Sequence, residues 1–531
     1  MKRVFKLIIF VLLINITILS LVACKQKDND KKDNDKEEVK LNIIDDNYRN
    51  WYEIFVYSFY DTNNDGIGDL NGVTQKLDYI KEMGFNGIWL MPVHPSPTYH
   101  KYDVKDYYEI DDVYGTLDDM KTLIEEAHKR GIKVILDLVV NHSSSDHPWF
   151  KEACQYIREN GQPGGEYGEY YNFTKNSGTG YSPVSGTSYY YESRFWSGMP
   201  DLNLNSEKVK QEIVDIMKYW LIDYDVDGFR LDAVTSYYTG NVGKNVEFLS
   251  WLNTESEKIK KDCYVVGEAW VGSDTEINRY YESGIDSFFL FTGAQGTGSI
   301  ATLVKQQSGT TLGKLMVKLQ DTYGDKILAP FLGNHDTMRP GSFMPGEDNV
   351  KMAAGVLSML NGGTFVYYGE EIGMISKDGS NSDPHKRIAM KWQSKNIYEG
   401  MCYTTPENIK IDDTYYYYSS VEDQMRNEGS ILNYYKKAMQ LRNMFPSIAR
   451  GKVEYLPDGQ NNYVCVITKT YEDEKITIIF NLDSFEQKVT LDLESLKTPN
   501  IVGELYAVNE GKAKLDNNTL VMPAYSIVIM K

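Results

Sequence analysis

Apolar residues in this chain fall in short dense runs set between longer stretches of helical spacing, the pattern of β/α units around a parallel sheet covered on both faces. Eight runs stand out, at residues 53–59, 87–92, 134–141, 228–233, 264–269, 287–291, 328–333 and 364–369. Amphipathic segments such as 117–130 and 206–224 lie between them, and a last helical stretch at 432–444 is stopped by Pro446. Eight strand–helix repeats close a (β/α)8 TIM barrel, so the predicted class is α/β, with the barrel over residues 47–450. Two segments break the rhythm. Residues 142–205, after the third run, are rich in Gly, Ser and Tyr and read as a small inserted domain. Beyond 451 the period changes to two, with runs at 463–470, 475–481 and 526–530, which predicts a C-terminal antiparallel β-sandwich domain over 451–531.

The first 46 residues stand apart from this pattern. Lys2, Arg3 and Lys6 precede an apolar run at 7–21, arranged as in an export signal. The run leads into Leu21-Val22-Ala23-Cys24, which resembles the lipobox of bacterial lipoproteins and implies a signal peptide over 1–23 with Cys24 as the lipidated first residue. Residues 24–46 include KQKDNDKKDNDKEEVK, which cannot bury enough apolar surface to fold and reads as a disordered tether. The expected location is the outer face of a bacterial cell membrane, held by the N-terminal lipid alone.

The formal charge of −19, without a basic stripe, excludes nucleic acid as a partner. Cys154, Cys263, Cys402 and Cys465 are widely spaced with no Cys-x-x-Cys pair, so zinc ribbons and dithiol redox chemistry find no support, and buried free thiols are expected. A monomer is the expected state.

In a (β/α)8 barrel the C-terminal strand ends form the active face. Here they carry carboxylates: Asp137 to His142 (DLVVNH) ends the third run, Asp227 to Asp232 (DGFRLD) the fourth, GEAW with Glu268 the fifth, and LGNHD with His335 and Asp336 the seventh. Alternation puts Arg230 and Asp232 on one strand face, where the guanidinium keeps the carboxylate ionised and oriented. An ionised carboxylate facing a second carboxyl of raised pKa is what retaining glycoside hydrolysis requires. Asp232 is the natural nucleophile, Glu268 the acid and then base, and Asp336 a stabiliser of developing positive charge.

These four segments are similar, in order and spacing, to the signature segments of the α-amylase family, glycoside hydrolase family thirteen. Met199-Pro-Asp-Leu-Asn203 resembles a fifth segment, in a form intermediate between the oligo-1,6-glucosidase and neopullulanase types. The resemblance implies the same roles for Asp232, Glu268 and Asp336, and contacts from Tyr102, His142, Arg230 and His335 to the sugar at the cleaved bond. Tyr102-Asp103 and Arg387 resemble an Asp and an Arg that close the pocket of exo-acting members. Thr235 and Ser236 stand where many members carry Lys-His, a departure from the pattern behind the family's usual interdomain calcium.

A second motif is Asp61-Thr-Asn63-Asn-Asp65-Gly66-Ile67-Gly-Asp69, with oxygen ligands at alternate positions and a carbonyl from Ile67, which predicts structural Ca²⁺. Gly72 stands where an EF-hand has Glu, and a similar loop follows the first strand in oligosaccharide-type members of the family. The function expected is hydrolysis of α-1,4 links in starch or maltodextrin. An exo-acting α-glucosidase, a neopullulanase-like enzyme and a transglycosylase use the same trio and are the alternatives within the family. A non-catalytic glycan-binding lipoprotein, the alternative of another class, would need none of these carboxylates together.

Overall fold

The computed structural model describes residues 46–531 apart from 378–381, 395–399, 411–412, 417, 458–460 and 509–510. Cys24, the signal segment and all but the last residue of the tether therefore lie outside the described residues.

Eight parallel strands form the predicted barrel: β1 (Asn50–Ile54), β2 (Gly87–Leu90), β3 (Lys133–Leu138), β4 (Gly228–Leu231), β5 (Tyr264–Gly267), β6 (Ser287–Phe289), β7 (Ile327–Ala329) and β8 (Thr364–Tyr367). The ladder runs β7-β6-β5-β4-β3-β2-β1-β8. The seam between β7 and β8 is joined by backbone hydrogen bonds from Gly363 N–H to the Leu328 carbonyl (2.8 Å) and from Phe365 N–H to the Pro330 carbonyl (3.0 Å).

Alternation divides each strand between two environments. Trp51, Trp89, Ile135, Tyr264, Val266, Phe289, Ala329 and Phe365 form one buried cluster. Two residues further along the same face stand Glu53 after Trp51 and Asp137 after Ile135, and Arg230 lies opposite Asp137 in the β3–β4 register. An apolar plug thus carries a layer of charged groups at the C-terminal ends of the strands.

The first strand lies earlier than the predicted run at 53–59. Its ladder to β2 and β8 ends at Ile54, and Val56–Ser58 form a 3-10 turn. The apolar signal continued because residues 55–59 are all buried, yet they lack a strand neighbour. Pro446 does end the helix Ile431–Met444, and also opens a new one, Pro446–Arg450, at its first position, where a missing N–H costs nothing.

The inserted segment holds the helix Pro148–Asn160 and three short antiparallel strands, Phe173–Thr174, Tyr181–Pro183 and Tyr190–Glu192. After the barrel, a five-stranded antiparallel sheet faces a three-stranded one across a core that includes Val466, Ile479, Val489, Leu520 and Val528, the predicted sandwich. All four cysteines of the described residues are buried free thiols. Among the described residues no helix is long and apolar enough to cross a membrane.

Gly228 opens β4 where the chains of β4 and β5 touch: a Cβ there would lie 1.8 Å from the Tyr264 carbonyl oxygen. Gly228→Ala is expected to destabilise the barrel by about 1–3 kcal/mol or more, since backbone rather than a flexible side chain must yield. Equilibrium denaturation of the two proteins measures this, and an unchanged midpoint would contradict the close approach.

Candidate active site

Arg230 is fully buried, and its guanidinium is the hub of the charged layer. Nη1 donates to Asp232 Oδ1 (2.7 Å) and to Asp137 Oδ1 (2.8 Å), while Nη2 lies 3.0 Å from Glu268 Oε2. Three carboxylates from β3, from the end of β4 and from the residue after β5 therefore share one buried cation. The second Glu268 contact is the backbone N–H of Ala233, 2.9 Å from Oε2.

Glu268 and Asp336 sit in opposite fields. Burial, together with Asp232 and Asp336 nearby, pushes Glu268 up to about 8 despite Arg230. Burial would raise Asp336 too, but the charges of His335 and Arg387 outweigh it and hold that carboxyl far below the usual carboxylate range. His335 Nε2 lies 2.9 Å from Asp336 Oδ2, and Arg387 Nη2 donates to Oδ1 at 2.7 Å. The site thus holds one carboxyl poised to carry a proton and another fixed as an anion.

The other anticipated contacts converge here as well. Tyr102 reaches Asp137 (3.1 Å), His335 (2.8 Å) and Arg230 (3.3 Å) through its hydroxyl. His142 is buried and feels the charges of Asp232 and Asp103; its Nε2 has no hydrogen-bond partner among the described residues. Asp103 is fully buried, accepting from Ser96 (2.7 Å) and Thr98 through Oδ1, with Oδ2 unpartnered among the described residues. Arg387 does not pair with Asp103. Its Nη2 serves Asp336 and, at 3.3 Å, Asp383, so the two residues read as one pocket wall make separate contacts.

Four contributors were not singled out from sequence as site residues: Asp137, Glu53, His100 and Tyr99. Asp137 lies within a segment read for its strand end, and its partnership with Arg230 depends on the register of two strands distant in sequence. Glu53 lies at the start of a run read as apolar. His100 Nδ1 accepts the Tyr102 N–H (3.1 Å), and burial with the Arg387 charge pulls its pKa down to about 3. Tyr99 receives the Arg387 Nη1–H at 3.4 Å. Trp89 is core and donates to Asp137 (3.1 Å). Trp196 and Trp270 are each 48% exposed, the latter stacked on Phe291.

The loop at 61–69 is tightly wound. Asp61 accepts the N–H groups of Asn63, Asn64 and Gly66, Asp65 accepts that of Ile67, and Asn63 Nδ2 donates to Asp65 Oδ2 (3.0 Å). Asp69, read as the ninth-position ligand, also serves the backbone. Its carboxylate caps the helix Leu70–Gln75 through Gly72 N–H (2.7 Å) and binds Thr62, because a helix N-terminus begins at the next residue. Among the described residues no group of three or more His, Cys, Asp or Glu side chains converges as a metal site. The hard oxygen donors of Asp61, Asn63, Asp65 and the Ile67 carbonyl still suit Ca²⁺ chemically, and no described cation pairs with Asp61, Asp65 or Asp69. Gly66, at φ +95°, lets the loop pack beneath Tyr403 and Thr404, where any side chain would collide.

A family model described as the catalytic domain of alpha amylase matches residues 53–451. The chain belongs to the α-amylase family. Alpha-amylase 3 of Dictyoglomus thermophilum is 36% identical over 91% of this chain and 93% of its own. An oligo-1,6-glucosidase of Heyndrickxia coagulans is 30% identical over 83% and 92%. Among solved structures, Eubacterium rectale Amy13B superposes with a TM-score of 0.86 at 42% identity, covering 92% of this chain and 96% of that one. The α-amylase of H. orenii superposes at 0.78 with 33% identity, covering 91% and 99%. The protein is a glycoside hydrolase of this family.

The charge pattern predicts a pH profile. A proton donor with the Glu268 value is loaded below about pH 8 and empty above it, so kcat/KM should fall as pH rises through that region. A plateau extending past pH 9 would show that Glu268 is not the titrating acid.

Proposed function

We propose that the protein is an exported, lipid-anchored α-amylase that hydrolyses α-1,4 links of starch and maltodextrins with retention of configuration. The observation that carries this reading is the shared guanidinium of Arg230, which binds Asp232 and Glu268 on adjacent nitrogens. Such sharing favours the close carboxyl separation of retaining enzymes, about 5 Å, over the wider gap that leaves room for a water.

In the first step Asp232 attacks the anomeric carbon as Glu268 passes its proton to the departing glycosidic oxygen, giving a glycosyl-Asp ester. Glu268, now ionised, takes a proton from water as that water attacks the same carbon and frees Asp232. Asp336, held as an anion by His335 and Arg387, offsets the positive charge that builds on the sugar ring in both steps. The unpartnered His142 Nε2 and Asp103 Oδ2 are suited to the hydroxyls of that sugar. Lipid attachment at Cys24 rests on the lipobox-like segment.

Asp232→Asn should lower turnover by at least about 10³-fold while glucan binding persists. The variant's rate on maltoheptaose and its affinity by calorimetry check this; high residual turnover would remove Asp232 as nucleophile. With the wild type, a maltoheptaose blocked at its non-reducing end separates endo from exo action. Cleavage to mixed short products supports the α-amylase, whereas release of glucose or maltose from unblocked substrate alone makes the enzyme exo-acting.

Calcium at the 61–69 loop is part of the same proposal. Chelation should lower the melting temperature, and added Ca²⁺ should restore it, because an ion bound only by the folded loop stabilises that state by mass action. An identical melting curve in chelator would count against the ion.

A further inference from the structure

Glu53 is 1% exposed on β1, inside the barrel, and no step of the mechanism above uses it. Its Oε1 lies 2.6 Å from His335 Nδ1, and the His335 backbone N–H points to the same oxygen at 3.4 Å. The opposite ring nitrogen, Nε2, faces Asp336 Oδ2 at 2.9 Å and the Tyr102 hydroxyl at 2.8 Å. Tyr102 has one proton to give, and its hydroxyl donates to Asp137 at 3.1 Å. Its oxygen is left to accept from Arg230 and from His335, which requires a proton on Nε2. A carboxylate at 2.6 Å from Nδ1 requires a proton there as well. Both ring nitrogens are then donors, and the imidazolium bridges two carboxylates.

We propose that Glu53 is a positioning residue for the hydrolytic reaction: by accepting from His335 Nδ1 it keeps the ring an imidazolium, and so keeps Nε2 a charged donor toward Asp336 and the sugar that Asp336 serves. Without Glu53 the ring would have one carboxylate neighbour and no second anion to hold its charge, so it would lose a proton more easily and meet Asp336 with a neutral, weaker donor. The remaining charged or titratable groups around the ring come from every side: Tyr102 and His100 after β2, Asp137 on β3, Asp336 itself, and Arg387, whose Nε donates to the His335 carbonyl at 3.1 Å. His100 and Arg387 disfavour a charged imidazole. Glu53 and Asp336 favour it, and together with their hydrogen bonds they carry His335 up to about 9 in spite of its burial.

The inference rests on the assignment of Asp336 to the cleaved sugar, but its first test does not. In full-length protein with isotopically labelled histidine, the His335 signal, identified by its loss in His335→Asn, should stay doubly protonated through pH 8. A midpoint at or below 6.5 in the wild type would overturn the proposal whatever the activity shows. In Glu53→Gln, which keeps shape and an acceptor but removes the charge, the midpoint should drop by about 1–3 pH units, as expected for losing a carboxylate in contact. Where the lowered midpoint falls below the Glu268 value of about 8, the alkaline limb of kcat/KM should follow it to lower pH, and kcat should fall by about 10–100-fold with little change in KM. In the His335→Asn background the same substitution should change kcat less than about twofold, because no imidazole is left to position. An unmoved His335 midpoint in Glu53→Gln, or an equal loss in the His335→Asn background, would show that Glu53 merely packs the barrel. Should Glu53→Gln fail to fold, the wild-type titration decides alone.

Discussion

A guanidinium without water must be neutralised by the protein, and most of this site follows from how Arg230 meets that requirement. Desolvating a cation costs several kcal/mol even after relaxation. Asp137 and Asp232 offset that cost with their charge and Glu268 adds a polar contact, and in doing so each is fixed in position. The oxygens of Asp232 and Glu268 are thereby aimed from two neighbouring strands at one place, with no need for a substrate to organise them. The same constraint ties site to fold. Arg230 points inward because β4 pairs with β3 in the register that sets it beside Asp137, and a slip of one residue would turn it to the outer face.

Chemically similar carboxyls acquire different duties from their neighbours. Glu268 shares its cation with two other carboxylates and is buried, so the neutral form gains. Asp336 has an imidazole on one oxygen and a guanidinium on the other, so the anion gains. The apolar plug of Trp51, Trp89, Phe289 and Phe365 beneath the layer keeps water away from below, which strengthens every one of these interactions. The wedge between proton carrier and permanent anion is a property of the barrel interior as much as of the residues themselves.

How much of this was legible in the sequence depends on whether a feature is local. All eight strands were, because each is an apolar run bounded by polar residues, and so was the Arg230–Asp232 pair, which lies two positions apart on one strand. The Arg230–Asp137 and Glu53–His335 contacts join residues far apart in the chain, and no period reveals a partner on another strand. Local signals also conflicted. The burial of 55–59 extended the first run past its last ladder bond, and the spacing of Asp69 fits a metal ligand and a helix cap equally well. The structure shows the cap, formed with Gly72 three residues on.

The barrel seam shows why the C-terminal sandwich belongs to the catalytic unit. Residues 358–363 lead from the helix Glu347–Ser358 into β8, and their carbonyls have no helical partners left. Arg442, fully buried, donates to the carbonyls of Ser358 (2.8 Å), Leu360 (2.6 Å) and Gly362. Lys469, from the sandwich, reaches Met359 (2.8 Å) and Ile448 (2.6 Å) carbonyls and the side chain of Asn361. Among the described residues neither cation has a carboxylate in contact, so carbonyl dipoles at a helix C-terminus take that part, and burial lowers the pKa of both, Arg442 to about 9. The pinned segment delivers Gly363 and Phe365 to the hydrogen bonds that join β8 to β7, and β8 in turn sets Tyr367 against Glu53. A lysine contributed by the sandwich thus helps fix the strand beside which Glu53 meets His335, and the position of the catalytic layer depends on a domain that contributes no residue to it.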